Sequence, residues 1–538
     1  MLSTDLLPVP IFVRSRAFLW HFSPATNQLI APASNQLSAE QGSTARKILY
    51  AEADTPLMVS GIKSQQAVRL AARLQEATGV PLSATLVFDH PTPRSIAAHL
   101  ASLPEVTTFG AATAVTELAT EIMAGNSAYG VPASFDARIG LPMAPVSTMQ
   151  EQMLLHQQLQ PDSAIYNMSF RVVLATHCPT FVAQACLHAL VQRHSVLRTH
   201  YSMGSAGFAQ VVLPENGFFM PLRSIAADPT TMAASVSEPF DLFSTPPVRA
   251  DLCGEPERAA TIQVTMHHVM CDAVTIGLLH AELLANCNSM LANELPPSRP
   301  PLPFQYADFA AWQRDRYLSQ LQSGEIASEG MWWREKLAGA PSELRVPWKM
   351  ESYAPSDEAT SDKVAVVPVH IDADTVYQLL ATCRTSEASP LCGLLCIWSA
   401  LLLRLCGQTE LILGQPYSLR DSVGAESLAG TFINFLPLRL KQAVGTTFQT
   451  AMQDATVSMA EALAHGDIPV QDIVGELARS SAGTASSSTG VALYQTMLQL
   501  LDHSTDLDDL LLSNTATRIP AESDLAGLKM RMVSPRHF

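Results

Sequence analysis

Two adjacent histidines and a nearby acid lie in a predicted turn between a strand and a helix. They are His267, His268 and Asp272. The apolar stretch at 261–266 has strand character, and the pattern at 274–286 is helical. An imidazole in such a turn can act as a general base while the carboxylate fixes the local geometry; the alternative is a buried structural pair. A metal site is not expected, because adjacent side chains at a strand end point to opposite sides and another ligand is needed.

A serine opens another predicted helix. Ser64 follows a glycine-containing turn, and apolar residues recur at helical spacing over 67–78. Its hydroxyl can cap the helix, which serine does well. It can also carry a phosphodiester, because the free N–H groups and the positive dipole end at a helix start favour an anion. The spacing alone leaves both interpretations open.

The elements that would position Ser64 form a small helical block at 41–103. Helical patterns occur at 67–78 and 94–103, with only 44–50 available for a first helix. We predict a compact all-α block here. Residues 1–40, which precede it, are predicted to be a disordered extension.

The histidine turn lies in a larger block that alternates strands with helices, which indicates an α/β fold. A linker rich in Ala, Thr, Gly and Ser, with a short helical pattern at 115–123, precedes it at 104–140. The block is too long for one core, so we predict two lobes, at 141–325 and 326–538. The second lobe is expected to be incomplete, because the chain turns acidic and polar after residue 501. The predicted strands are 169–174, 261–266, 365–371 and 410–413, and the predicted helices are 181–193, 274–286, 331–337, 375–384 and 391–405.

Composition and charge narrow the class of protein. The chain has 538 residues, of which 47% are hydrophobic, so it can bury a core and more than one domain is expected. Its formal net charge of −16 gives no general attraction for nucleic acid or for an anionic membrane, and neither is an expected partner. The longest apolar run, 391–403, is shorter than the ~20 residues of a spanning helix and is predicted to be a core helix.

Cysteine usage favours a reducing compartment. The nine cysteines form no CxxC pair, which disfavours both a disulfide framework and a zinc ribbon. We expect the cytoplasm. An organelle is the alternative, because Asp5 is the single acid among the first 39 residues.

The histidine turn is one of a series of motifs that resembles the condensation domains of nonribosomal peptide synthetases. It is similar to HHxxxDG, with Ala273 in place of the glycine. The other matching segments are SxxQ at 147–150, RHxxLRT at 193–199, YxDFAxW at 306–312, WWxxxL at 332–337, GQP at 414–416, GxFxN at 430–434 and HGDIP at 465–469. These seven matches in chain order imply two lobes that resemble chloramphenicol acetyltransferase.

The resemblance also implies roles for individual residues. His268 would be the catalytic histidine, acting as a base toward an acceptor amine or positioning it, with His267 as its structural neighbour. Asp272 would pair with Arg198 and hold the turn, and Asn434 would support the site. The implied chemistry is aminolysis of a thioester without a metal.

Residues 41–103 resemble an acyl or peptidyl carrier domain, most of all those of polyketide synthases. The resemblance rests on the run that ends at Ser64 and on the segment LVFDHPTP. It implies a small all-α four-helix bundle in which Ser64 bears covalent 4′-phosphopantetheine. Two positions depart from the family pattern, since Lys63 stands where Asp is usual and Gln65 where Leu is usual. A cation at a helix N-terminus is unfavourable by up to ~1 kcal/mol.

Together the two resemblances imply a carrier–condensation fragment of a nonribosomal peptide or hybrid polyketide–peptide synthase. It would transfer an acyl group from a pantetheine thioester to the amine of a carrier-bound aminoacyl group, forming an amide. The implied partners are neighbouring synthase modules or carriers, a phosphopantetheinyl transferase, and acyl and aminoacyl thioester substrates. Three alternatives stay open: an inactive carrier or docking module, an epimerisation domain, and a free-standing acyltransferase that uses a CoA thioester.

Overall fold

The structure is a computed structural model with three hydrophobic cores in the part of the chain it describes. One core lies in a helical unit and the other two lie in two α/β lobes, which confirms the predicted fold class. The described residues are 9–14, 53–54, 56–57, 62, 64–103, 112–123, 143–205, 207–254, 260–341, 343–345, 364–420, 424–481, 493–501 and 528–535.

The helical unit places Ser64 at the start of its first described helix. The described elements before the lobes are β1 (Val9–Arg14), α1 (Ser64–Thr78), α2 (Leu86–Asp89), α3 (Pro93–Ser102) and α4 (Ala112–Met123). Leu70 and Leu74 of α1 are fully buried in the core. Helix α3 begins at a capping box in which Thr92 and Ser95 exchange hydrogen bonds. The helices predicted at 67–78 and 94–103 are confirmed.

Helix α4 belongs to the same bundle although it lies in the range predicted to be a linker. Its residues Val115, Ala119 and Ile122 are buried in the core that α1 and α3 form. The side-chain amide of Gln66 donates to the Ile122 carbonyl at 3.1 Å. The predicted linker range therefore contains a helix of the bundle, whereas the predicted first helix at 44–50 lies outside the described residues.

The N-terminal lobe holds the histidine turn at the end of an interior strand. Its elements are β2 (Met143–Pro145), α5 (Thr148–Leu159), β3 (Asn167–Val173), α6 (Thr180–Arg193), β4 (Thr199–Gly204), β5 (Gly207–Val212), β6 (Leu222–Ile225), α7 (Pro229–Val236), β7 (Val248–Cys253), β8 (Thr261–His267) and α8 (Ala273–Leu291). The strands form two sheets, ordered β3-β8-β7-β6 and β2-β5-β4. Strand β8 is antiparallel to both neighbours and buried on both faces, since Val264 and the adjacent Thr265 are both covered.

Two long helices connect the lobes. They are α9 (Tyr306–Ser323) and α10 (Glu325–Leu337), separated by Gly324, whose φ of 82° allows the chain to turn. Phe309 of α9 lies in the N-terminal core, and Trp333 of α10 lies in the C-terminal core. The pair therefore ties both cores together.

The C-terminal lobe is a six-stranded sheet with helices packed against it. Its elements are β9 (Val364–Ile371), α11 (Ala373–Thr385), α12 (Pro390–Cys406), β10 (Glu410–Ser418), β11 (Ile433–Lys441), α13 (Phe448–Ala464), α14 (Val470–Ser481), β12 (Thr496–Leu501) and β13 (Leu528–Pro535). The strand order is β11-β10-β12-β1-β13-β9. Helix α12 contains the apolar run at 391–403, and Leu394, Leu395 and Leu403 are buried, which confirms a core helix.

The first strand of the chain lies inside this sheet. Strand β1 pairs parallel with β12 and antiparallel with β13. The prediction that residues 1–40 form a disordered extension is thus corrected at Val9–Arg14, because β-pairing with distant strands is not visible in local sequence patterns. Strand β13 also extends the described lobe beyond residue 501.

A short segment of the C-terminal lobe crosses into the N-terminal core. We call residues 424–432 the bridging segment. Its residues Ala425, Leu428, Ala429 and Phe432 are buried in the core of the N-terminal lobe. The bridging segment therefore brings backbone groups of one lobe close to the histidine turn of the other.

Candidate active site

The histidine turn leaves β8 at His267 and enters α8 at Ala273. A single 3-10 turn, His268–Met270, follows the strand directly. The carbonyl of Val269 is tied down by Gln150, whose Nε2 lies 3.1 Å away. The phenol of Tyr201 donates to the same carbonyl at 3.3 Å. The turn is therefore held by side chains of α5 and β4 as well as by its own strand.

His268 is the partly buried histidine of the turn. Its backbone N–H donates to the Tyr166 carbonyl at 2.8 Å. Its Nδ1 is enclosed by protein and makes no hydrogen bond. Burial lowers the pKa of His268 below its usual value, although the Asp272 carboxylate opposes that shift. The imidazole is therefore unprotonated near neutral pH, as a general base must be.

His267 is fully buried and has both ring nitrogens engaged. Its Nδ1 accepts from the Val269 N–H at 3.1 Å, so the neutral ring carries its proton on Nε2, which lies 3.4 Å from Gln157 Oε1. Burial, and then the neighbouring His268 and His156, lower the pKa of His267 to about 3. No nitrogen of this ring is left for a substrate.

Asp272 ends the turn and caps α8. Its Oδ1 accepts from the Thr275 N–H at 2.8 Å and from Arg420 Nη2 at 2.7 Å. Its Oδ2 accepts from the Phe432 N–H of the bridging segment at 3.0 Å. Burial alone would raise the pKa of Asp272, but Arg420 and the N–H donors outweigh it, and the pKa is lowered. The carboxylate stays ionised and joins the two lobes.

The predicted pairing of Asp272 with Arg198 is wrong. Arg420, which follows β10 of the other lobe, is the partner, and both side chains are almost fully buried. Arg198 instead donates to the carbonyls of Leu213 and Val191, at 2.9 and 3.3 Å. Sequence reasoning missed Arg420 because 148 residues separate it from Asp272 and it lies in none of the matched motifs.

Arg420 also organises the bridging segment. Its Nη1 donates to the carbonyls of Ala425 and Leu428 at 2.8 and 2.6 Å. Its Nη2 donates to Thr275 Oγ1 at 2.8 Å, so the guanidinium is satisfied on all sides within the buried junction. Arg420 thus holds both Asp272 of the histidine turn and the bridging segment.

Gly430 lets the bridging segment approach α9 closely. A Cβ at this position would overlap a ring carbon of Tyr306. The Gly430 carbonyl accepts from Thr275 Oγ1 at 2.7 Å, and the Tyr306 hydroxyl lies 2.9 Å from both Ser147 Oγ and the Thr431 carbonyl. Only glycine leaves room for this contact.

Asn434 stabilises a different turn from the histidine turn. Its side-chain amide donates to the carbonyls of Gly466 and Ile468 at 3.0 and 2.8 Å, and its Oδ1 accepts from the Val470 N–H at 3.3 Å. These contacts hold the HGDIP segment between α13 and α14. The structure thus places His267, His268 and Asp272 together, with Arg198 and Asn434 apart from them.

Ala273, which replaces the expected glycine, is an ordinary first residue of α8. Among the described residues, the non-glycine positions with positive φ are Asn293 and Glu387. Alanine at 273 therefore causes no backbone strain.

Ser64 is the first residue of the 15-residue helix α1, which has no acidic residue in its first turn. Ile62, two positions earlier, is buried in the bundle core and anchors the entry to the helix. Lys63 lies outside the described residues, as do the side chains of Ser64 and Gln65. The helix start at residue 64 thus offers free N–H groups to an attached anion.

In the described residues, no group of three or more His, Cys, Asp or Glu side chains is arranged to hold a metal ion. The same residues contain no single helix that is long and apolar enough to cross a membrane. One pair, Asp374–Thr385 and Pro390–Cys406, meets the length and composition criteria together but is bent by 110°.

Two family models match the chain in the order that the sequence motifs imply. The condensation-domain model matches residues 142–518, which is more than half of the chain, and the model of the phosphopantetheine attachment site matches residues 45–100. The chain belongs to the condensation-domain family. The helical unit that precedes the condensation domain is a phosphopantetheine carrier, and α4 lies beyond its matched residues.

Relatives and a solved structure agree with this assignment. A linear gramicidin synthase of Brevibacillus parabrevis is 28% identical over 426 residues, covering 78% of this chain and 5% of that protein. Phosphinothricin tripeptide synthetase PhsB of Streptomyces viridochromogenes is 29% identical over 447 residues, covering 81% and 35%. The chain thus spans only a small part of these relatives. The condensation domain from the monacolin K polyketide synthase MokA shares the fold, with a TM-score of 0.55 at 18% identity over 74% of this chain and 93% of that one.

The start of α1 suits the cofactor of the carrier family. A phosphodiester on residue 64 would meet the free N–H groups at the N-terminus of α1, where no carboxylate of the first turn repels it. Ile62, two positions before residue 64, is buried in the bundle core. The described part of the carrier domain therefore fits covalent 4′-phosphopantetheine.

Proposed function

We propose that this chain forms an amide by transferring an acyl group from a carrier-bound thioester to the amine of an aminoacyl acceptor. The observation that carries the proposal is His268, an unprotonated imidazole on a turn locked by a buried ion pair between the lobes. The setting would be a nonribosomal peptide or hybrid polyketide–peptide synthase. The gramicidin and phosphinothricin relatives support the peptide part, and the polyketide-like segment LVFDHPTP of the carrier supports the hybrid.

The proposed step is an aminolysis. The acceptor amine attacks the thioester carbonyl carbon, so that a C–N bond forms and the C–S bond breaks. His268 takes up a proton from the attacking amine and returns it to the leaving sulfur, which departs as a thiol. A positioned base of this kind contributes ~10²–10⁴-fold to the rate. His267 and Asp272 hold the turn and touch neither reactant.

Ser64 is the proposed attachment residue of the carrier. When bound there, 4′-phosphopantetheine supplies the thiol that holds the acyl group as a thioester. Its installation requires a phosphopantetheinyl transferase, and loading and release require neighbouring synthase modules. These are the proposed partners.

Mass spectrometry of the intact chain tests the carrier half of the proposal. The chain is incubated with CoA and a promiscuous phosphopantetheinyl transferase, and Ser64→Ala is treated in parallel. One phosphopantetheine is expected on the wild type and none on the variant. An addition that persists in Ser64→Ala would show that the attachment lies on another residue. No addition to either protein would contradict the carrier role.

A single-turnover assay tests the condensation half. The loaded chain is mixed with an aminoacyl acceptor thioester, and the amide is quantified by mass spectrometry. His268→Ala is expected to lose at least a hundredfold in rate, whereas the exposed His177→Ala serves as the control and keeps full activity. Equal rates for His268→Ala and the wild type would overturn the role of His268.

The same assay separates the remaining alternatives. An epimerisation domain would exchange the α-hydrogen of the loaded aminoacyl group for deuterium in D₂O without forming an amide. A free-standing acyltransferase would use an acyl-CoA as donor, so the Ser64→Ala variant would still form the amide. A docking module would show none of these activities.

A further inference from the structure

A cavity of about 640 Å³ lies between the carrier domain and the condensation lobes. Helix α1 forms one wall, through Val68, Ala72 and Gln75. Helix α9 forms much of the opposite wall, through Phe309, Trp312 and Tyr317. The volume is within the range of small-molecule sites, about 300–1,000 Å³.

The cavity begins on the side of α1 that carries the attachment position. Residues 64, 68, 72 and 75 are spaced four, four and three apart, so they lie along one stripe of the helix. At about 1.5 Å per residue, position 64 lies roughly 6 Å along the axis from Val68 and roughly 16 Å from Gln75. A group attached at position 64 therefore starts at one end of the cavity wall.

The lining matches the chemistry of an acylated pantetheine arm. Such an arm has two amides followed by a thioester and an organic acyl group. The cavity offers aromatic rings from α9 and the Gln75 side chain from α1, whose Oε1 accepts from the Leu82 N–H at 2.9 Å, so that its NH₂ group is the one that can donate. Arg316 and Asp467, which pair with each other at 2.9 Å, add a charged pair to the polar part of the lining. Aromatic walls bury apolar groups, and side-chain amides can pair with backbone-like amides.

This cavity is separate from the histidine turn. Of the described residues 267–272, none contributes to its lining. Resting on the function proposed above, we propose that the cavity shelters the acylated arm on Ser64 between transfer steps, as a storage site distinct from the site of amide formation. An arm held there protects its thioester from water until the carrier moves.

The test uses an environment-sensitive dansyl group as the acyl end. Dansyl-pantetheine is transferred from its CoA form to the full-length chain, and one addition is confirmed by intact mass. With direct excitation of the dansyl group, we expect blue-shifted emission and a several-fold lower iodide quenching constant than for the same label on the chain unfolded in urea.

Two variants fill the cavity from opposite walls. Ala72 of α1 and Ala464 of α13 both line it and are exposed. Ala72→Trp and Ala464→Trp should each return the emission and the quenching toward those of the unfolded chain. Ala77→Trp, at an exposed position of α1 outside the lining, is the matched control and should leave both unchanged.

The outcomes separate the storage site from the carrier function beneath it. A label that attaches but emits as in water, with the same quenching in all four proteins, overturns the storage site and leaves the carrier function intact. A shielded label that neither filling variant exposes also overturns it, because the shelter must then lie elsewhere. Failure of the label to attach overturns the carrier function and the storage site together.

Discussion

At the scale of single residues, the proposed site divides into one candidate reactive group and its supports. The Nδ1 of His268 makes no hydrogen bond, whereas both ring nitrogens of His267 are held by Val269 and Gln157. Two adjacent histidines in one motif therefore have different environments. Both carboxylate oxygens of Asp272 accept hydrogen bonds from Arg420 and the Phe432 N–H, so this residue positions the turn.

The pH dependence of amide formation should reflect the environment of His268. Burial lowers its pKa, so the imidazole remains a free base as the pH falls through the usual histidine value of about 6.5. Single-turnover rates with a fixed concentration of unprotonated acceptor should stay level through pH 6.5 and decline only below it. An inflection above 6.5 would contradict a buried, neutral base.

The buried ion pair between Asp272 and Arg420 predicts strong energetic coupling. Asp272→Asn leaves the guanidinium buried without its counter-charge, which should lower the free energy of unfolding by about 3–5 kcal/mol. A double-mutant cycle of Asp272→Asn with Arg420→Met, measured by urea unfolding, should give a large coupling energy. The control cycle of Asp272→Asn with Arg198→Met should give almost no coupling energy. A large coupling energy with Arg198 and none with Arg420 would contradict the ion pair seen in the structure.

At the scale of elements, α4 changes the extent of the carrier domain. It lies beyond the residues that match the carrier family, yet it supplies three buried side chains to the same core. A carrier cut at residue 103 would therefore leave the apolar faces of α1 and α3 partly uncovered. The folding unit of this carrier runs to Met123.

Removing the buried side chain of Ile122 in α4 should lower the stability of the whole carrier domain. Ile122→Ala deletes a buried side chain and should cost about 2–5 kcal/mol of carrier stability. Hydrogen exchange of the full chain, read by mass spectrometry, should show faster exchange over residues 64–103. Glu117→Ala, on the exposed face of α4, is the control. Unchanged exchange in Ile122→Ala would show that α4 does not stabilise the bundle.

The bridging segment is the second element that local patterns do not predict. Gly430→Ala would place a methyl group on the Tyr306 ring and push the segment out of the junction. We expect a large loss of amide formation together with a lower melting temperature. Gly204→Ala is the control, because a Cβ at that position meets open space, and its rate of amide formation and melting temperature should equal those of the wild type. A fully active Gly430→Ala would mean that the bridging contact does not affect the site.

At the scale of the whole molecule, the carrier is tethered close to the lobes that it would serve. The 19 residues 124–142 separate α4 from β2, and at ~3.3–3.6 Å per residue a chain of that length reaches at most about 68 Å. Because the carrier and the lobes belong to one chain, their effective concentration toward each other is high. Delivery within one chain should therefore outcompete delivery between chains.

This predicts that the single-turnover rate is independent of chain concentration in the low micromolar range. The check is to dilute the loaded chain tenfold and compare rate constants. Mixing Ser64→Ala with His268→Ala chains should give no product at these concentrations. Product from the mixture, rising with concentration, would show transfer between chains.

The sequence by itself indicated the candidate residues and some of the elements. Resemblance to family motifs singled out His268 and Ser64 as candidates, and the apolar pattern predicted strands such as 261–266, observed as Thr261–His267. This works because a helix or an interior strand is encoded by periodic apolar residues that are adjacent in the chain. Matching motifs in order then indicated the family.

The tertiary structure alone decided the partners of these residues. Arg420 as the counter-charge of Asp272, β1 within the C-terminal sheet and α4 within the carrier core all join segments distant in the chain. Such pairings depend on which surfaces meet after folding, and the free energy of a buried ion pair or a packed helix face belongs to both partners at once. A pattern confined to one segment carries no information about its distant partner.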